Sequence, residues 1–152
     1  MTTQGASASE PAGLRRAHDE RVQRHLDEGH GVCYFRRSDL AALVANALGH
    51  FDGQRYVLHA WCVMPNHVHV VVQPLPGWEL SRVLHSWKSF TAHAVNRRLG
   101  RTGDVWHKES YDRIIRDDGE YSRTMRYVLD NPAKAGFEDW EWVGTGSGVV
   151  LE

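Results

Sequence analysis

His67 and His69 stand one residue apart in MPNHVHVVV, at the head of a run of valines. Along an extended strand, residues i and i+2 project from the same face. Both imidazoles, with Gln73, are therefore expected on one face, and Val68, Val70 and Val72 on the other. Two neutral imidazole nitrogens about 7 Å apart along a strand can both turn toward one divalent ion. Two ligands do not complete a site, so a third group has to come from another element. The chain has ten histidines, and H-x-H by itself leaves a purely structural role open.

A third group is available in MRYVLDNP. Tyr127 and Asn131 are four residues apart, which puts them on one face of a helix. A phenol is a weak nucleophile until a neighbouring cation favours its ionised form and draws the substrate close. The same spacing also suits a tyrosine in the core and an asparagine closing the helix.

The elements that must carry these residues read as follows. Leu14 to Glu28 is polar, with few apolar positions, and is expected to be a surface helix ended by Gly29. GHGVCYFRR reads as a loop. Ser38 is placed to cap a helix over DLAALVANALGHF, where Leu40, Leu43, Val44, Ala47 and Leu48 recur at helical spacing. RYVLHAWCVMP and HVHVVVQPL read as two strands joined at Pro65-Asn66. Ser81 to Leu99 is the clearest helix, with Val83, Leu84, Trp87, Ala94, Val95 and Leu99 on its apolar stripe. YDRIIRDD is a short strand, Glu120 to Leu129 a last helix closed by Asn131-Pro132, and EDWEWVGTGSGVV a loop. This order predicts an α+β domain, an antiparallel sheet with helices packed on it.

The 152 residues suffice for one domain with a core. Residues 1–13 are expected to be a disordered tail, 14–143 the domain, and 144–152 a flexible C-terminal tail. A formal net charge of −1 excludes a uniformly basic nucleic-acid binder. The charge is unevenly spread, however. Arg82 to Arg116 holds eight Lys or Arg against three acids, so this segment could meet a polyanion or form a solvated helix face. Cys33 and Cys62 are too few for a disulfide framework and suit free thiols in the cytoplasm. No apolar run approaches the ~20 residues that span a membrane, and MTTQGASASE has no signal-peptide core.

Taken together, these residues resemble a known family. PNHVHVVV is similar to the histidine–hydrophobic–histidine (HUH) motif of the single-tyrosine, IS200-like transposases. LHSWKSFTAHAVNRRLG, VWHKESYDRIIRD and YSRTMRYVLDNPAKAG follow in the order of the REP-associated tyrosine transposase branch, and EDWEW resembles its tryptophan-containing tail. The likeness covers roughly Leu14 to Val143. W-x4-YDR-x-I-R together with Y-x3-NP-x-KAG makes it specific. It implies an HUH endonuclease, ferredoxin-like architecture and an enzyme that nicks single-stranded DNA beside hairpins. The nick would leave a 5′-phosphotyrosine link and a free 3′-OH, ready for strand transfer.

Carried over by position, the resemblance implies that His67, His69 and Asn131 hold Mg²⁺ or Mn²⁺ and that Tyr127 is the nucleophile. Lys88, Arg97, Arg98 and Arg101 are candidate phosphate contacts. Trp106, Tyr111 and Arg113 lie in a recurrent motif of the family, where they could position DNA; the alternative is core packing for the two aromatics and an internal ion pair for Arg113. Relatives include dimers with shared active sites, so a homodimer is also admitted.

In the family a strand precedes the Leu14–Glu28 segment and lies inside the sheet, next to the histidine strand. MTTQGASASEPAG stands in its place, with little strand propensity. The sheet is therefore expected to lack its first inner strand. That expectation opens a second reading, a hairpin-DNA-binding remnant that no longer cuts. A third reading is a small zinc protein drawing a further ligand from His59 or Glu109.

Overall fold

In a computed structural model, residues 21–29, 31–108 and 111–148 are described, Tyr111 by its backbone only. The elements run β1 (Arg21–Asp27), a 3-10 turn (Tyr34–Arg36), α1 (Ser38–His50), β2 (Tyr56–Met64), β3 (His67–Pro74), α2 (Leu80–Leu99), β4 (Tyr111–Ile115), α3 (Asp118–Lys134) and β5 (Val143–Thr145). The strands form one sheet in the order β4-β1-β3-β2-β5, and every pairing is antiparallel. The domain is α+β, in agreement with the order of elements along the chain.

Two expectations at the N-terminal side are overturned. The described part of the Leu14–Glu28 segment is not helix but β1, paired with β3 on one side and β4 on the other. The sheet therefore has an inner strand beside the histidine strand. The sequence misleads here because Val22 and Leu26, the buried apolar residues of β1, are four apart. That interval suits one face of a helix and one face of a strand equally well. Hydrogen bonding to two neighbours, a non-local term, decides for the strand. The expected tail 1–13 lies outside the described residues.

The sheet has two unlike faces. Val68, Val70 and Val72 of β3, with Leu26 and Leu58, form one core with Leu40, Val44 and Leu48 of α1 and Val83, Leu84, Trp87 and Val95 of α2. The opposite face packs Ala60, Cys62, Met64, Val71 and Ile115 against α3. The alternation expected for HVHVVVQPL is observed: the valines at 68, 70 and 72 face α1 and α2, and both histidines face the α3 side.

Helix ends differ from expectation by a few residues. Arg37, not Ser38, is the N-cap of α1. The α3 helix starts at Asp118 because the Asp117 carboxylate accepts from the Glu120 N–H at 2.8 Å. It also continues through Pro132 to Lys134. A proline this near the end forfeits little of the helix ladder, and Ala135 N–H still reaches the Asn131 carbonyl at 3.1 Å. One unbroken helix therefore carries both Tyr127 and Asn131.

Residues 144–148, expected to be a flexible tail, lie along β2. Val143–Thr145 pairs with Ala60–Cys62, and Gly146 and Gly148 donate to the His59 and Leu58 carbonyls at 3.2 and 2.9 Å. Ser147 donates twice to the Asp52 carboxylate, at 2.8 Å from N and 2.6 Å from Oγ. The glycines that suggest flexibility permit close approach instead. A Cβ on Gly146 would sit 2.5 Å from the Leu58 carbonyl oxygen, and one on Gly148 2.6 Å from Val57.

Candidate active site

The α3 face of the sheet brings three imidazoles together. His69 of β3 lies opposite His25 of β1, and His67 opposite Asp27. The His25 ring stacks on His67 at 4.9 Å between centroids and meets His69 edge-on at 4.3 Å. The His67 and His69 rings are 4.8 Å apart. One potential ligand atom from each of the three residues lies within 4.8 Å of the others.

The helix above supplies the phenol. Glu120, Thr124, Val128 and Pro132 form the buried stripe of α3. Tyr127, on the flank of that stripe, is 45% exposed, and its ring stands 5.6 Å from that of His69. Asn131, one turn further on, hydrogen-bonds with His67. An open cleft of about 470 Å³ runs past His25, His69 and Tyr127 to Gln23, Asp112, Arg113, Glu120, Arg123 and Thr124. One chain thus brings Tyr127, His67, His69 and Asn131 to one place.

Burial governs the electrostatics of His67 and His69. His69 is 2% exposed; burial, and then the neighbouring His25 and His67, push its pKa down to about 3. Burial, and next His25, also lower His67. Both rings are therefore neutral at neutral pH and offer lone pairs. His67 Nδ1 donates to Asn66 Oδ1 at 2.8 Å, and His25 Nε2 to Asp27 Oδ1 at 2.8 Å. His69 Nδ1 is buried with no hydrogen-bond partner among the described residues. A buried orphan nitrogen is costly, and a cation would satisfy it. Neutral imidazoles, an amide and an orphan acceptor suit a divalent ion.

Sequence reasoning misses His25 and Asp27 because their segment has the pattern of a helix. The H-x-D spacing, repeating the H-x-H of β3, is the available signal. His59 is not part of the trio. Its Nε2 donates to Gln73 Oε1 at 3.2 Å and its Nδ1 accepts from the Tyr121 hydroxyl at 2.8 Å. Glu109 lies outside the described residues. Cys62 faces the same side as His69, but burial raises its pKa to about 12, so it packs as a neutral thiol.

The cationic candidates divide. Arg113 lines the cleft and is held by Glu120 at 3.0 and 2.9 Å. Lys88 donates to the His107 carbonyl at 3.2 Å, Arg98 pairs with Asp39 at 2.9 Å, and Arg101 donates to the Asp104 carbonyl at 3.2 Å and lies over the Tyr34 ring. These three, with exposed Arg97, belong to α2 or its C-terminal end, on the valine side of the sheet. Trp106 is buried, packs on Phe35 and donates to Thr91 Oγ1 at 2.9 Å. It is core, and is not presented to DNA.

Comparison with known proteins identifies the family and the fold. The profile of the family described as "Transposase IS200 like" matches residues 37–131, more than half of the chain. A Haemophilus influenzae protein provisionally named a REP-associated tyrosine transposase is 26% identical over 98 residues, 55% of each chain. This chain thus spans about half the length of that relative. A solved REP-associated tyrosine transposase bound to a REP hairpin superposes with a TM-score of 0.67 at 17% identity, covering 83% of this chain and 76% of that one. That likeness is one of fold. No helix among the described residues is long and apolar enough to cross a membrane. The extent of the family match makes the conclusion direct: this chain belongs to the IS200-like transposase family.

Proposed function

We propose that the protein nicks single-stranded DNA beside a hairpin and transfers the strand, with Tyr127 as nucleophile and His67, His69 and Asn131 as holders of Mg²⁺ or Mn²⁺. The observation that carries this reading is the Tyr127 ring 5.6 Å from that of His69, whose buried Nδ1 has no hydrogen-bond partner among the described residues. Tyr127 Oη attacks the phosphorus. The P–O3′ bond breaks, the phenolic proton departs, and the leaving 3′ oxygen takes up a proton. The products are a 5′-phosphotyrosine and a 3′-OH. Because the phosphoryl bond is retained on the protein, a second 3′-OH can reverse the step and join strands without ATP.

A divalent ion, when bound, supplies charge neutralisation and orientation of the scissile phosphate. Everything else falls to the chain's own residues. Neutral His67 and His69 present lone pairs at the sheet surface, and the hydrogen bond between Asn131 and His67 brings its amide to the same spot. The helix fixes Tyr127 and Asn131 one turn apart. Arg113, braced by Glu120, lines the cleft where a phosphate backbone would run.

The substrate we propose is a hairpin of the kind named for the solved relative, met in the cytoplasm. Assembly of the site does not require a second copy, although a homodimer would be compatible with it. The inactive-remnant reading rests on a missing inner strand, and β1 removes that ground. The test is to incubate the protein with Mn²⁺ and a labelled single-stranded hairpin oligonucleotide, then denature it. A covalent protein–DNA adduct is expected with wild type and none with Tyr127→Phe. An adduct persisting in Tyr127→Phe removes the nucleophile; no adduct from a folded, DNA-binding wild type restores the remnant.

A further inference from the structure

We propose that His25 is a third imidazole ligand of this centre, oriented by Asp27, and that the centre selects a borderline transition ion such as Mn²⁺, Co²⁺ or Zn²⁺ over Mg²⁺. The proposal rests on the metal-dependent reading above and specifies its ion.

Three observations carry it. First, candidate ligand atoms of His25, His67 and His69 lie within 4.8 Å of one another. These three side chains are the ones that would hold one ion, with nitrogen ligands of the kind such ions take. Second, His25 Nε2 donates to Asp27 Oδ1 at 2.8 Å, leaving Nδ1 with its lone pair free to ligate. Carboxylate–imidazole–metal relays of this kind fix the ring and raise its basicity as a ligand. Third, His69 Nδ1 is buried beside them with no hydrogen-bond partner among the described residues. β-Strand geometry explains the arrangement. His25 and His69 are direct cross-strand partners in the β1–β3 register, so the ladder that holds the sheet also sets their spacing.

The donor set decides the ion. Mg²⁺ asks for six oxygens in a near-ideal octahedron and gives up water reluctantly. Three imidazole nitrogens match it poorly and match first-row transition ions well. Asp27, one hydrogen bond behind His25, adds a negative charge without occupying a coordination position.

Metal binding without DNA tests this, in full-length Tyr127→Phe protein so that no cleavage intervenes. Co²⁺ would be titrated by its visible absorption, and Mn²⁺ and Mg²⁺ by calorimetry. Tight Co²⁺ and Mn²⁺ binding with much weaker Mg²⁺ binding is expected. Asp27→Asn, which keeps every imidazole, should weaken Co²⁺ by about 10–100-fold, and His25→Ala by more. His25→Gln, which preserves a polar group at this half-buried position, should change the Co²⁺ spectrum as well as the affinity. Thermal midpoints identify any variant that has merely unfolded. If His25→Gln binds Co²⁺ with the wild-type spectrum and affinity while His67→Ala does not, His25 is a stacking neighbour and the two-histidine reading stands alone. Mg²⁺ binding as tight as Co²⁺ overturns the ion preference. If the Tyr127→Phe protein with its imidazoles intact binds none of the three ions, the metal-dependent function itself falls.

Discussion

The two faces of the sheet are built from the same strands to opposite ends. On one, Val68, Val70 and Val72 meet two helices in a continuous apolar core. On the other, apolar packing beneath α3 gives way to three imidazoles, a half-exposed phenol and an open cleft. The valine face is where burial of apolar area stabilises the fold. The histidine face carries a buried His69 nitrogen with no hydrogen-bond partner among the described residues, a feature that works against stability. The difference teaches that this sheet concentrates stability on one surface and the candidate site on the other. Changes to the two should therefore separate cleanly.

The largest expected effect is Tyr127→Phe. It should abolish adduct formation, a loss above ~10³-fold for removal of a covalent nucleophile. The melting temperature should barely move, because the hydroxyl is on a half-exposed side chain. Adduct yield and a thermal melt on one preparation check both halves. A large drop in stability would break the separation of the faces. The counterpart is Leu58→Ala on the valine face, 1% exposed, which should cost about 2–5 kcal/mol by urea denaturation. Cleavage per folded molecule should be unchanged.

A smaller effect concerns pH. His59 and His69 both have pKa values lowered from 6.5 by burial first. The unfolded chain binds these protons at higher pH than the folded one. Their contribution to stability is therefore complete above the ordinary histidine pKa and drains away as pH falls below it. In metal-free protein the melting temperature should decline from about pH 7.5 to about pH 5, and His59→Gln should flatten part of the slope. A midpoint rising over that range would contradict neutral imidazoles. The smallest predicted effect separates the cations. Arg113→Ala should weaken hairpin-DNA binding and lower the salt slope by about 0.7 for one lost phosphate contact. Arg98→Ala, on the valine side and paired with Asp39, should leave the slope unchanged. Equal slopes for the two variants would move the DNA path off the cleft.

Legibility in the sequence follows the range of the forces involved. The alternation in HVHVVVQP distinguishes the two faces unaided, because strand periodicity is local. The four-residue interval from Tyr127 to Asn131 gives their shared helical side for the same reason. β1 is not legible: Val22 and Leu26 satisfy both periods, and only the flanking strands distinguish them. The glycines of VGTGSG carry the opposite of their apparent message, since close approach to Leu58 and Val57 arises only once β2 lies alongside. Trp106 and Arg98 are ambiguous between DNA contact and internal structure, and their partners Thr91, Phe35 and Asp39 are far away in sequence.

The order of elements from α1 to α3, the chemical face of the histidine strand and the phenol–amide pair were determined by the chain's own local patterns, which need no knowledge of neighbours. Tertiary structure alone decided that His25 joins His67 and His69, that Asp27 stands behind it, and that Tyr127 lies over His69. Those residues meet because antiparallel ladders and a helix packed across them bring together positions far apart along the chain, and no short-range propensity encodes that separation.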